Sequence, residues 1–264
     1  MNPDEVLATF DRQLRREARP DGPEVRVERA GDVVRQVGPA HGWNGVLWSG
    51  LDDGLDDDGA DAADGGADAA IADQVRHFGA LGLAFEWKLY GHDRPADLGH
   101  RLLAAGFTAE PAETLMVAEA AAITGGCPEG VRLVPVTDRE GVELVTRVHE
   151  SAFGDPGDRL RHHLLGRLAA GTLNAVVAMA GDVPVSSARL DVHPGTRFAS
   201  LWGGGTVREW RGRGIYRALV AYRARQAVAL GYDYLQVDAS SESRPILARL
   251  GFAALTTTTP YVHP

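Results

Sequence analysis

Cysteine is almost missing from this chain: Cys127 is the only one in 264 residues. A lone thiol closes no internal disulfide, so a reducing cytoplasm is the expected compartment. No run of about 18 apolar residues exists, which excludes a membrane-spanning helix on length alone. The opening MNPDEVLATFDRQLRREARP lacks the apolar stretch of a secretory signal. There Pro3 suits a first helical turn, with Val6, Leu7, Phe10 and Leu14 on one face. Positive charge is scarce too, with 27 Lys and Arg against 36 Asp and Glu and a net charge of −9. Nucleic acids and anionic membranes call for a broad basic face, so neither is an expected partner.

Several chemical signatures are also lacking. There is no G-x-x-x-x-G-K-[ST] phosphate loop and no G-x-S-x-G hydrolase elbow. The dinucleotide pattern G-x-G-x-x-G fails, because its last position is Arg217 when read from Gly212 and Arg208 when read from Gly203. His162 and His163 point different ways on a helix and no second ligand pair stands at metal spacing, so no metal site is expected.

What is present is ordinary globular material, 44% hydrophobic and 24% charged, enough for one large domain or two. Residues 51–70, LDDGLDDDGADAADGGADAA, read as a flexible, solvated acidic loop without the alternation of a calcium site. Residues 120–130, AAAITGGCPEG, read as a linker, which leaves Cys127 a poor candidate nucleophile. The two sides of this linker echo each other. One opens with VRVERAGDVVRQV and closes with HRLLAAGF; the other opens with VRLVPVTDREGVELV and closes with PILARLGF. The first copy is about 40 residues shorter between these marks, as expected of a duplication that has lost its middle.

The second copy reads as alternating strands and helices. A strand at 131–136 leads to a helix over 139–152, capped by Thr137 or Asp138; a second helix covers 158–170 and ends at Gly171. Two strands joined at Gly181 and Asp182 form a hairpin, and RFASLWGGGTV is a further strand. A helix follows over 214–230, stopped by Gly231; then a buried strand at 232–238, a short helix ending at Gly251, and a last strand, FAALTTTT. The glycines at 203–205 are read in two ways, as an edge-strand bulge or as an opening that lets a ligand reach the backbone. Trp43, Trp48, Trp87 and Trp202 are expected in the core or at a domain interface.

Against this acidic background stands TVREWRGRGIYRAL, where Arg208, Arg211, Arg213 and Arg217 crowd around Gly212 and Gly214. A strand, a glycine-rich turn and a helix make an anion site: backbone N–H groups converge, the helix dipole is positive there, and arginines add charge-assisted hydrogen bonds. A pyrophosphate would fit.

Here the chain resembles the GNAT superfamily of acetyl-CoA-dependent N-acyltransferases. REWRGRGIYRALV is similar to the family's [RQ]-x-x-G-x-[GA] turn, the order of elements over 131–259 matches, and LARLGF resembles the closing LYxxxGF. The resemblance implies an α/β (α+β) fold, a mixed central sheet with splayed strands flanked by helices, in two related halves. The expected organisation is a degenerate half over 1–119, the linker, and an acetyl-CoA-binding domain over 131–264. The first half has FEWKLYGHD and HRLLAAGF but no arginine–glycine turn, so no cofactor is expected there.

The resemblance further implies acetyl-CoA as cosubstrate. Its pantetheine arm would bond to the backbone of Thr206 and Val207, and its pyrophosphate would rest on Arg211, Gly212, Arg213, Gly214, Ile215 and Tyr216. The implied reaction is direct attack of a primary amine of a small molecule or peptide on the thioester, which needs a base and a proton donor. Net acidity suits a cationic acceptor such as an amino acid, polyamine, aminoglycoside or lysine side chain. Three positions depart from the family: Tyr216 stands for Gly or Ala, Leu247 for the usual tyrosine acid, and Ser240 for an asparagine. Candidate acids are Ser240, Ser241, Tyr216 and Tyr261. Candidate bases are Asp238, then Glu242 and His193, although Asp238 also reads as a cap of the next turn. The missing tyrosine favours an alternative, a non-catalytic acyl-CoA-binding sensor or scaffold. A nucleotide site for ATP or NAD is a third reading. The oligomeric expectation is a monomer or homodimer.

Overall fold

The computed structural model describes residues 1–22, 24–51 and 65–264. Helix α1 (Pro3–Phe10) runs into a π-helical turn (Asp11–Arg16) and is followed by β1 (Arg26–Ala30), β2 (Val33–Val37) and β3 (Gly45–Ser49). Next come α2 (Gly65–Leu81), β4 (Phe85–Tyr90), α3 (Leu98–Ala104), β5 (Thr108–Ala109) and β6 (Glu113–Glu119). After a 3-10 turn (Ala120–Ala122) the chain forms β7 (Val131–Pro135), α4 (Arg139–Phe153), α5 (Asp158–Ala169), β8 (Ala175–Ala180), β9 (Val183–Val192) and β10 (Phe198–Thr206). A second 3-10 turn (Arg208–Trp210) leads to α6 (Ile215–Ala229), β11 (Tyr234–Ala239), α7 (Arg244–Arg249) and β12 (Ala253–His263).

The chain divides into two compact units. The first comprises Met1, Met116–Val237 and Glu242–Ala253; the second comprises Asn2–Leu115, Asp238–Ser241 and Ala254–Pro264. The final strand, expected to close the second half, therefore counts with the N-terminal strands. It pairs antiparallel with β4 from Thr258↔Tyr90 to His263↔Phe85.

In the first unit the strands run in the order β6-β11-β10-β9-β8-β7. Alternation along β8 sends Ala175, Val177 and Met179 to one face, where they pack with Val142 and Val145 of α4 and Leu164 of α5. Val176 and Ala178 face the other way, against Ile215 and Leu219 of α6. The Asp138 side chain caps α4 by accepting from Gly141 N at 2.8 Å, which decides between the two expected caps. Gly181 takes φ +57 in the β8–β9 hairpin, a conformation that L side chains resist.

In the second unit β1-β2-β3-β4-β12 lie side by side, with β5 on β12. Its core joins Val33, Val46, Phe78, Phe85, Trp87, Leu98 and Leu102. Of the acidic stretch 51–70, residues 52–64 lie outside the described residues. From Gly65 onward the expectation of a loop is overturned, because α2 begins there and buries Ala67 and Ile71. The small residues hid a helix start, since Ala favours helix and Ile71, Phe78 and Ala67 share a buried side.

The second unit also holds a buried ionic cluster that sequence reading did not find. Arg15 is 2% exposed. It donates through both Nη2 contacts to the Asp93 carboxylate at 2.7 and 2.8 Å, and through Nη1 to Asp11 at 2.7 Å. Its guanidinium stacks 4.0 Å from the Tyr90 ring centre. His92 Nε2 lies 2.7 Å from Asp11 Oδ2. Among the described residues, no helix is long and apolar enough to cross a membrane.

Candidate active site

Strand β10 pairs with β11 in parallel only at Phe198↔Tyr234, Ala199↔Leu235 and Ser200↔Gln236. Both strands continue past that point, β10 to Thr206 and β11 to Ala239. The two strands therefore part, leaving an edge of β10 without a strand partner. The register against β9 also shifts between Trp202 and Gly205, so Gly203 and Gly204 form a bulge, with Gly203 at φ +59. Gly204 and Gly205 are close-packed. A Cβ on Gly204 would stand 2.7 Å from Tyr216 Cε2, and one on Gly205 would stand 2.7 Å from Phe153 Cε2.

The chain leaves β10 through the arginine–glycine turn. Gly212 and Gly214 both take left-handed φ, +78 and +82. Gly214 is the N-cap of α6 and no side chain caps that end. The N–H groups of the first turn of α6 thus have no intrahelical partner, and the helix dipole adds to their positive potential. Residues 212–216 form this mouth, and the arginines of the turn are engaged elsewhere. Arg211 braces the turn, donating from Nε to Thr206 O and from Nη2 to Ala152 O, both at 3.1 Å. Arg213 stacks 4.4 Å from the Trp210 ring centre. Val207 N donates to Val185 O at 3.0 Å. That donor is already committed, which weakens its expected role in bonding a pantetheine arm.

Tyr216 turns toward the sheet, its ring over Gly204, and leaves the helix mouth uncovered. Burial pushes its phenol above the ordinary value, with the Arg223 guanidinium opposing the shift. Arg223 is 1% exposed, and its hydrogen bonds among the described residues go to backbone carbonyls. Its Nε donates to Leu219 O and its Nη1 to Arg189 O and Trp202 O. Burial pushes this guanidinium down to about 10.

Where β10 and β11 part, His193 Nε2 lies 2.6 Å from Ser200 Oγ, and Gln236 Nε2 donates to the same oxygen. Of the remaining candidates, Asp238, Ser240, Ser241 and Tyr261 belong to the second unit and Glu242 to the first. Asp238, read as base or cap, instead forms an ion pair with Lys88, Oδ2 to Nζ at 2.7 Å. Lys88 is the only lysine of the sequence. Burial lowers its basicity, but Asp238 outweighs it, and the ammonium ends well above the usual range. Burial and the Asp238 charge push the neighbouring Glu113 carboxyl up. Ser240 and Ser241 are exposed. Tyr261 faces α3, where a Cβ on Gly99 would touch its hydroxyl. Leu247, at the family's tyrosine position, is fully buried. Among the tryptophans, Trp87 is in the core at 1% exposure, whereas Trp202 is 44% exposed, against expectation. Among the described residues, no cluster of three or more His, Cys, Asp or Glu could hold a metal ion.

No family model matches the chain, and no curated protein matches it in sequence. Solved structures do match it along its length. A GCN5-related N-acetyltransferase from Kribbella flavida aligns over 99% of this chain and 94% of its own at 18% identity, with a TM-score of 0.67. The fold is that of the GCN5-related N-acetyltransferases. A tandem GNAT protein from the clavulanic acid biosynthesis pathway aligns over 99% of this chain and 95% of its own, at 13% identity and a TM-score of 0.60. A conserved protein of unknown function from Staphylococcus epidermidis aligns over 94% and 96%, at 13% identity and a TM-score of 0.66. The GNAT resemblance read from the arginine–glycine turn and the order of elements thus holds at the level of fold, including the tandem arrangement. In GNAT terms, β10 and β11 are the splayed pair and α6 is the helix that follows the first of them.

Proposed function

We propose that this GNAT-fold chain is an N-acetyltransferase that takes acetyl-CoA as cosubstrate at the first unit. The observation that carries the reading is the parting of β10 from β11 beside an uncapped helix entered through two left-handed glycines. The residues present fit a pyrophosphate: bare backbone at Gly212 and Gly214, free N–H groups at 213–216, and a positive helix end. Acetyl-CoA supplies an acyl thioester. Thr206 and the bulged glycines would line its arm, with Arg211 holding the turn in place from behind.

The acceptor is a primary amine of a small molecule or peptide, which must lose a proton to attack. His193, hydrogen-bonded to Ser200 at the point where the strands part, is the better base, because Asp238 is already held by Lys88. Tyr216 is the proton donor for the departing thiolate. Its raised phenol keeps its proton at neutral pH, and its ring is fixed over Gly204. The expected setting is the cytoplasm, as a monomer or homodimer, with no metal, nucleic acid or membrane partner.

Titration calorimetry with CoA and acetyl-CoA tests the binding step, with one site per chain expected. Release of CoA against a panel of amines tests transfer. The buried Leu247 in place of the family tyrosine favours the sensor reading, which predicts tight binding without turnover. A melting temperature raised by ATP or NAD but not by CoA would favour the nucleotide reading.

A further inference from the structure

Arg189 of β9 is a half-buried guanidinium in an environment short of negative charge. Its Nε is buried and makes no hydrogen bond among the described residues. Its neighbour Arg167 of α5 is also short of partners: Nε is buried and unbonded, Nη2 donates to Thr172 O at 3.2 Å, and Nη1 lies 3.8 Å from Asp191 Oδ1. That last separation is too long for a hydrogen bond. Burial pushes Arg189 down, with Asp191 opposing and Arg167 adding to the effect. On the opposite face of the sheet, Arg223 donates to the carbonyls of Arg189 and Trp202, so a third buried cation lies under the same pair of residues. Two guanidinium groups thus share one carboxylate, Asp191, and the third is bonded to backbone carbonyls. Leaving buried charge uncompensated is costly, and an arginine fork matches a carboxylate in shape as well as sign.

Beside the arginines, two large rings are open to solvent. Arg189 is the cross-strand partner of Trp202, so their side chains share a face, and the indole is 44% exposed. Phe153, 51% exposed, packs on Gly205, whose partner Ser187 lies on that same face. The arginine pair, the bulge and two uncovered rings therefore line one side of β10, next to the stretch assigned to the thioester.

We propose that the acceptor amine also carries a carboxylate, which Arg189 binds with the support of Arg167, while Trp202 and Phe153 cover its apolar part. This rests on the acetyltransferase reading and narrows its acceptor class: a free amino acid or a similar amino carboxylate fits, whereas a polyamine, an aminoglycoside or a lysine side chain within a peptide does not.

The test uses the full chain and pairs of probes that differ only in the carboxylate, phenylalanine against phenethylamine and leucine against isoamylamine. The acid of each pair should give at least about tenfold higher kcat/KM. Arg189→Gln should abolish that preference through KM while leaving CoA affinity and the melting temperature near wild type. Arg189→Lys, which keeps the charge but loses the fork, should retain part of it. Should Arg189→Gln fail to fold, Arg167→Gln must reduce the same preference. Equal or better use of the decarboxylated amines, or a preference untouched by these substitutions, overturns the proposal. Failure of CoA to bind would sink the acetyltransferase reading instead. In that case saturation-transfer NMR with the same probes still decides, because binding of phenylalanine but not phenethylamine, lost in Arg189→Gln, supports the pocket and its absence refutes it.

Discussion

The two units contain the same structural device with opposite chemistry. In each, a strand starts a parallel pair that ends early: β10 with β11 at Ser200↔Gln236, and β3 with β4 at Gly45↔Glu86 and Val46↔Trp87. In each, that strand is followed by a helix, α6 or α2. The connecting sequences differ entirely. Residues 207–214 read VREWRGRG, with three arginines and one glutamate; residues 52–64 contain seven aspartates and no basic residue. An anion would be repelled by the aspartates of the second sequence, whereas the first brings two glycines and net positive charge to a helix start. The strand–helix frame is thus present in both units, while the connecting residues carry opposite charge.

The largest test of this contrast is Gly214→Glu, which adds a carboxylate and a strained left-handed residue to the helix mouth. CoA affinity should fall by more than about a hundredfold while circular dichroism stays native, and unchanged affinity would remove the site from α6. Next in size is Asp93→Asn in the second unit. Breaking the buried pair with Arg15 should cost about 3–5 kcal/mol in urea unfolding, yet leave the CoA dissociation constant of the folded protein unaltered. If both fell together, the division of labour between the units would be wrong. Gly204→Ala should cost about 1–3 kcal/mol by overpacking against the Tyr216 ring, a penalty that should vanish in a Tyr216→Ala background.

The smallest expected effect is on the acid limb of stability. Burial pushes the Asp11 carboxyl up, but hydrogen bonds and charge from His92 and Arg15 outweigh it and leave the group below its ordinary value. A depressed carboxyl stabilises the fold above its unfolded value and loses that contribution as pH falls through the folded one. Asp11→Asn should therefore flatten the decline in urea midpoint below about pH 4, and an unchanged slope would count against the assignment.

Much of the first unit was legible because its signals are local. Asp138 before the apolar rows of α4, Gly181 in a hairpin, and Gly212 and Gly214 before α6 each act within a few residues. The fold resemblance followed from their order. What escaped had no local signature. Arg15, His92 and Asp93 look like surface charges in sequence, and only the approach of segments some 80 residues apart makes them a buried cluster. Asp238 was read as base or cap because Lys88, 150 positions earlier in the chain, gives no hint of pairing with it. Arg211 looked like a phosphate ligand, but its reach to Ala152 O depends on where α4 ends. The exposed Trp202 and the under-compensated Arg189 beside it became visible only once β9 and β10 were in register.

By itself the sequence determined most of the succession of strands and helices in the second half, the hairpin at Gly181 and the presence of the arginine–glycine turn in one copy only, because these depend on neighbours within a turn or two. Tertiary structure alone decided that the last strand pairs with β4, where β10 leaves β11, and which charges are buried together. Alternation along a strand specifies which face is covered, but not which strand lies beside it.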